Sequence, residues 1–169
     1  IPYLDIELLN SLTSANSDVA FHLVGHYTEN GALHIALSEK PNVSFWGKQP
    51  AAGLPQILNK SDILLVTYKS GDHLEQLANP HKIMEYLASG KVVLATRTLE
   101  YEERSGLVEV AQSRTEFLEK FAAIKSDLNK WNSLENQNVR QAYAAGNSYK
   151  NHCDHIAKRL GPLGHYISD

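Results

Sequence analysis

Several things are scarce in this sequence, and each scarcity closes a class of function. There is a single cysteine, Cys153, so no internal disulfide can form and nothing demands an oxidising compartment. No apolar run approaches the roughly 20 residues that span a bilayer, so no transmembrane helix is expected. Basic residues are not in excess: 16 Lys and Arg stand against 19 Asp and Glu, a net charge of −3. Without a basic run, the chain is a poor candidate for sequence-independent nucleic-acid binding. Low-complexity tracts, internal repeats and a charged-then-apolar leader are lacking as well. The chain begins at Ile1 rather than Met, which favours a fragment of a longer protein.

What remains is 169 residues with an ordinary apolar fraction of 43%, enough to bury one core. The apolar pattern alternates between two periods. Leu4, Ile6, Leu8, Leu9 and Leu12 share a helical face, and Val19–Gly25 reads as a strand. A short helix at Gly31–Ser38, a strand at Val43–Gly47 and a short helix at Leu54–Leu58 follow, with Pro55 in the first turn where a lost N–H matters little. Asp62–Tyr68 is a continuous apolar strand of the kind covered on both faces. After a loop, Lys69–Asn79, Pro80 opens a helix over His81–Ser89 that Gly90 ends. Val92–Thr96 and Leu107–Ala111 are further strands, and helices at Thr115–Leu128 and Leu134–Leu160 close the chain. The last is long and polar, with Arg140, Lys150, Lys158 and Arg159. This alternation predicts an α/β fold, a mostly parallel sheet between two helical layers in a Rossmann-like arrangement.

Ligands of open α/β sheets bind at the carboxyl ends of the strands. There the sequence places Gly25 and His26, then Gly47 and Lys48, then Lys69 to Gly71, then Arg97. Three cations on one edge of an acidic chain suit an anion such as phosphate, although surface cations also cluster by chance. The start of the Pro80 helix offers free N–H groups to the same anion. Lys82 and Glu85, three apart, share a face. A carboxylate there can accept two ribose hydroxyls; the plainer alternative is a surface ion pair. His152, Cys153 and His155 suggest a metal only at first sight, because Cys153 points about 100° away and no second pair of ligands exists. No metal site is expected. His22 is expected as a satisfied histidine in the core or on a sheet face, and Tyr143 and Tyr149 are expected to pack.

Asn79–Thr96 as a whole resembles the nucleotide-sugar-binding signature of retaining GT-B glycosyltransferases, the group 1 or GT4-like enzymes. Their pattern is Asn-Pro-x-Lys-x-x-Glu-Tyr-Leu-Ala-x-Gly-Lys-Pro-Val-Val-Ala-Thr, with Val92 here in the Pro position. Weaker pieces agree in order: Phe21–Gly25, Pro41–Gly47, Leu54–Ile63 and Arg140–Tyr149. The resemblance covers residues 1–160, leaving 161–169 as a tail. It implies the C-terminal, donor-binding half of a two-domain enzyme. The N-terminal acceptor domain and the first strand of this half would be absent.

By position, the resemblance makes Glu85 the ribose-binding carboxylate. Asn79, Pro80, His81 and Lys82 would face the diphosphate, Gly47 and Lys48 would flank the base, and Gly25 and His26 would stand at the ligand edge. The substrate implied is a UDP- or GDP-sugar, held without metal or permanent cofactor, with no Asp-x-Asp motif present. The acceptor implied is a glycan or lipid-linked sugar of a cell-surface polysaccharide. Relatives often carry a first glutamate eight positions before the second. Leu77 stands there instead, with Glu75 two residues earlier as a possible sugar contact. A nucleotide-binding module without transfer activity and a nucleotide-sugar epimerase are the alternatives. The expected location is the cytoplasm, with any contact to the inner membrane face made through the absent domain.

Overall fold

The computed structural model describes residues 3–69, 82–104 and 106–160. The chain opens with α1 (Ile6–Ala15), whose first turn is capped by Asp5: one carboxylate oxygen accepts from the Leu8 N–H at 3.0 Å. The other oxygen accepts from Arg114 Nε at 2.8 Å. Arg114 also bonds Glu7, so one guanidinium ties the start of α1 to a helix more than 100 residues later. Then come β1 (Phe21–Val24), α2 (Ala32–Leu37), β2 (Val43–Gly47), α3 (Leu54–Asn59) and β3 (Ile63–Val66). The second half holds α4 (Lys82–Ala88), β4 (Val92–Thr96), β5 (Glu109–Ala111), α5 (Arg114–Ser126), α6 (Leu128–Trp131), α7 (Leu134–Gly146) and α8 (Tyr149–Leu160).

Among the described residues the strands pair in parallel, as the alternation predicts, with one isolated antiparallel bridge between Leu4 and Tyr68, but they form two sheets. β1 pairs with β2, and β3, β4 and β5 form a separate three-stranded section in that order. Two cores cover the larger section. Val92 and Leu94 of β4 point to α1 and α5, against Leu8, Leu12, Phe117, Phe121 and Ile124. Val93 and Ala95 point the other way, against Ile83 and Leu87 of α4 and Tyr101. Period-two alternation with both faces apolar is the geometry of a strand between two helical layers.

One expectation needs correction. The single closing helix is two, interrupted at Asn147 and Ser148. Asn147 lends its side-chain amide to the Tyr143 carbonyl at 2.8 Å, in competition with the helical ladder, and Gly146 before it favours the break. Arg140, in that polar stretch, is 2% exposed. Its Nη1 donates to the Gly90 carbonyl and its Nη2 to that of Trp131, each at 3.0 Å. Burial draws its pKa below the ordinary value, against the opposing pull of Glu109. Gly90 itself sits at φ +79°, a conformation that favours glycine, and a Cβ there would crowd Gln137 and Gln141 of α7 at 3.1 Å.

Candidate functional site

The carboxyl ends of the strands are fastened to one another. β1 ends at Gly25 (φ +137°) and β2 at Gly47 (φ +66°), and the Gly25 N–H donates to the Gly47 carbonyl at 2.9 Å. Glycine at both ends lets the chain turn sharply out of the sheet. Behind this turn Tyr27 stacks on His34 with ring centroids 5.6 Å apart, and both rings lean on Phe45. The ring cluster fixes the loop that presents His26, which is exposed, as is Lys48. His22 lies on the exposed sheet face, as expected, and its Nδ1 accepts from Trp46 Nε1 at 3.1 Å.

The ends of β3 and β4 are joined by Thr96. Its hydroxyl accepts from the Tyr68 N–H at 2.9 Å and donates to the Val66 carbonyl at 3.3 Å. Tyr68 in turn carries Lys82, whose ammonium lies 4.6 Å from the ring centroid. α4 buries Ile83 and Leu87 and leaves Glu85 exposed. Among the described residues Lys82 and Glu85 do not form an ion pair, so the plainer alternative of the spacing argument does not hold. Tyr86, packed beside them, has its phenol pushed up to about 12 by burial, with Tyr68 and Glu85 adding to it.

A cavity of about 710 Å³ opens at this edge, and Gly25, His26, Lys82 and Glu85 all line it. Gly47 and Lys48 are not among its lining residues. Of the three edge cations, Arg97 is already engaged, its Nε donating to Glu102, whereas Lys48 and Lys69 are exposed. Asn79, Pro80, His81 and Glu75 lie outside the described residues. Sequence reasoning missed the Thr96 clasp, the Lys82–Tyr68 contact and the Tyr27–His34–Phe45 cluster. Each joins residues remote in sequence, and no local spacing announces it. Cys153 is exposed, and no group of three or more potential metal ligands is gathered among the described residues. No helix there is long and apolar enough to cross a membrane.

Comparison with known proteins fixes the family. The family profile described as "Glycosyl transferases group 1" matches residues 5–127. The chain belongs to the group 1 glycosyl transferases. No curated protein sequence matches it significantly. Among solved structures, this group 1 chain is similar to the pneumococcal O-GlcNAc transferase GtfA, crystallised with UDP and GlcNAc, at a TM-score of 0.63 and 14% identity. The match covers 95% of this chain and 33% of that one. At that identity the likeness speaks for the fold, the Rossmann-like half of the GT-B architecture. The group 1 chain thus spans about a third of the length of its structural neighbour.

Proposed function

We propose that this chain is the donor-binding half of a glycosyltransferase that moves a sugar, with retention, from a nucleoside-diphosphate sugar to a glycan or lipid-linked acceptor. The observation that carries this is Glu85: an exposed carboxylate on α4, one turn from Lys82, at a cavity that Gly25 and His26 also line. Glu85 accepts the two ribose hydroxyls. Lys82 faces the diphosphate together with the backbone of Asn79–His81. Gly47 and Lys48 stand beside the base, Gly25 and His26 beside the sugar-phosphate, and Glu75 is a candidate for a sugar contact.

As the glycosidic bond to the diphosphate breaks, the leaving group gains negative charge. A cation and N–H groups that meet this charge stabilise it more than they stabilise the intact donor, which lowers the barrier. The acceptor is held by the other half of the enzyme, and any contact with a membrane surface belongs to that half. UDP is the first nucleotide to test, because it is the nucleotide bound in GtfA.

Calorimetric titration with UDP, GDP and ADP, without metal, tests the reading. One diphosphate binds selectively, and Glu85→Ala weakens it by about 1–3 kcal/mol, the loss of a polar group's partner. Unchanged affinity in a folded Glu85→Ala chain removes Glu85 from the site. Leu77 in the first-glutamate position favours a second reading, a nucleotide-binding module without transfer. Sugar transfer by the full-length protein eliminates it.

A further inference from the structure

Lys82 and Glu85 stand three residues apart on one face of α4. At that spacing an ammonium and a carboxylate ordinarily pair. Such a pair would occupy both groups that the donor reading needs. The carboxylate would face the ammonium instead of ribose hydroxyls, and the ammonium would meet a diphosphate already neutralised. Among the described residues that pair is not made. The ammonium lies instead 4.6 Å from the centroid of the Tyr68 ring, within the distance at which a ring face attracts a cation.

The ring is the fixed partner in this contact and the lysine the movable one. Tyr68 sits just past β3, and its stretch of backbone is fastened on both sides. Toward β4, its N–H donates to the Thr96 hydroxyl at 2.9 Å, which donates onward to the Val66 carbonyl at 3.3 Å. Toward the start of the chain it bridges Leu4: the Lys69 N–H donates to the Tyr3 carbonyl at 2.8 Å, and the Asp5 N–H to that of Thr67 at 2.9 Å. The half-buried ring packs against the second core, as do Met84 and Tyr86. On the other side of the contact, α4 is anchored by buried Ile83 and Leu87. Lys82 then reaches the ring on a flexible four-carbon stem.

The two partners differ in what they leave behind. A carboxylate neutralises an ammonium, whereas a ring face does not. A cation on that face keeps its charge, and the N–H groups turned away from the ring stay open to an anion. Tyr68 and Glu85 also share a neighbour, since both add to the burial that pushes the Tyr86 phenol up to about 12. We propose that Tyr68 is a positioning residue of the donor site: its ring holds the Lys82 ammonium off Glu85, leaving the carboxylate open to ribose and the ammonium to diphosphate. That consequence rests on the donor-binding reading, while the contact itself belongs to the chain without ligand. Loss of the ring releases Lys82 to pair with Glu85, and a nucleotide must then break that pair to bind.

The test has one arm without nucleotide and one with it. In the first, lysine side chains are followed by NMR. The ring current of Tyr68 shifts the ε-methylene protons of Lys82 upfield of the other lysines, and Glu85→Gln leaves that signal in place. Tyr68→Phe keeps the shift and Tyr68→Leu removes it. With the ring gone, adding Glu85→Gln moves the Lys82 signal, as breaking an ion pair does. In the second arm, calorimetry follows whichever of UDP, GDP and ADP binds. Tyr68→Leu weakens it about two- to fivefold, the worth of a cation–π contact, and Tyr68→Phe restores it. Once Lys82→Met has removed the ammonium, Tyr68→Leu has no further effect. An unshifted Lys82 signal in the unsubstituted chain overturns the proposal, and so does a signal there that moves with Glu85→Gln. Neither reading changes position 68, so both decide the matter even where Tyr68→Leu does not fold. A Tyr68→Leu loss of equal size with and without Lys82→Met also overturns it, because the ring is then merely structural. The expected shifts in a chain that binds none of the three nucleotides refute the donor reading and leave Tyr68 as the residue that keeps Lys82 from Glu85.

Discussion

All five residues of β4 are buried, while none of the five in β2 is. The two parallel sheets are thus supported very differently. β4 is pressed between α1 and α5 on one face and α4 on the other, and both faces are apolar. β1 and β2 turn Phe21, Leu23, Val43 and Phe45 inward and leave His22, Val24, Ser44 and Trp46 exposed. Parallel strands in a doubly covered sheet normally bury both faces. The difference shows that the β1–β2 pair depends on its neighbours rather than on a core of its own, and four tests can break or sharpen that contrast.

The largest effect is expected in β4. Leu94→Ala removes a fully buried side chain and costs about 2–5 kcal/mol, whereas Leu23→Ala in the half-buried β1 costs about 1 kcal/mol. Urea denaturation measures both, and equal losses would abolish the contrast. Arg140→Ala comes next. It leaves the Gly90 and Trp131 carbonyls without their donor, a loss of about 2–3 kcal/mol in the same assay. Here the loss falls on the larger section, so hydrogen exchange should quicken in α4 and β4 before β1.

Alkaline pH attacks the same section. Tyr86 and Tyr101 both pack in its second core, and burial pushes each up to about 12 from the ordinary 10.0. The folded chain holds those protons more tightly than the unfolded one, so the stabilisation is whole below pH 10 and is lost as pH rises toward 12. Thermal unfolding followed from pH 9 to 12 should show a falling midpoint, and Tyr86→Phe with Tyr101→Phe should flatten the fall. The smallest effect is expected from Trp46→Phe. Trp46 is 46% exposed and its N–H bonds only His22, so stability changes by about 0.5 kcal/mol or less in the same thermal assay.

Much of this was legible from local pattern. The bounds of β2 and β4, the helix begun by Leu54-Pro55 and the stop at Gly90 follow from runs of apolar residues between punctuating Gly and Pro, which act over a few residues. The shared face of Lys82 and Glu85 was equally plain. What the pattern hid is decided at a distance. Arg140 lies in a polar stretch, and only carbonyls 50 and 9 residues away make its burial tolerable. The division of the sheet was hidden for the same reason, since strand periodicity tells which residues face inward but not which strand lies alongside. The break at Asn147 is local, but a side chain that bonds its own backbone leaves no mark on hydrophobic period.

Arg140 has a consequence for how relatives diverge. Its guanidinium, on α7, grips the residue where α4 gives way to β4, 50 residues earlier. The angle at which Glu85 is offered to a ligand is therefore set partly by α7, a helix with no residue at the site. Two enzymes alike in every residue near the nucleotide can differ in affinity through their closing helices alone. Substitutions in α7 give evolution a means of tuning the site without altering any group that touches it.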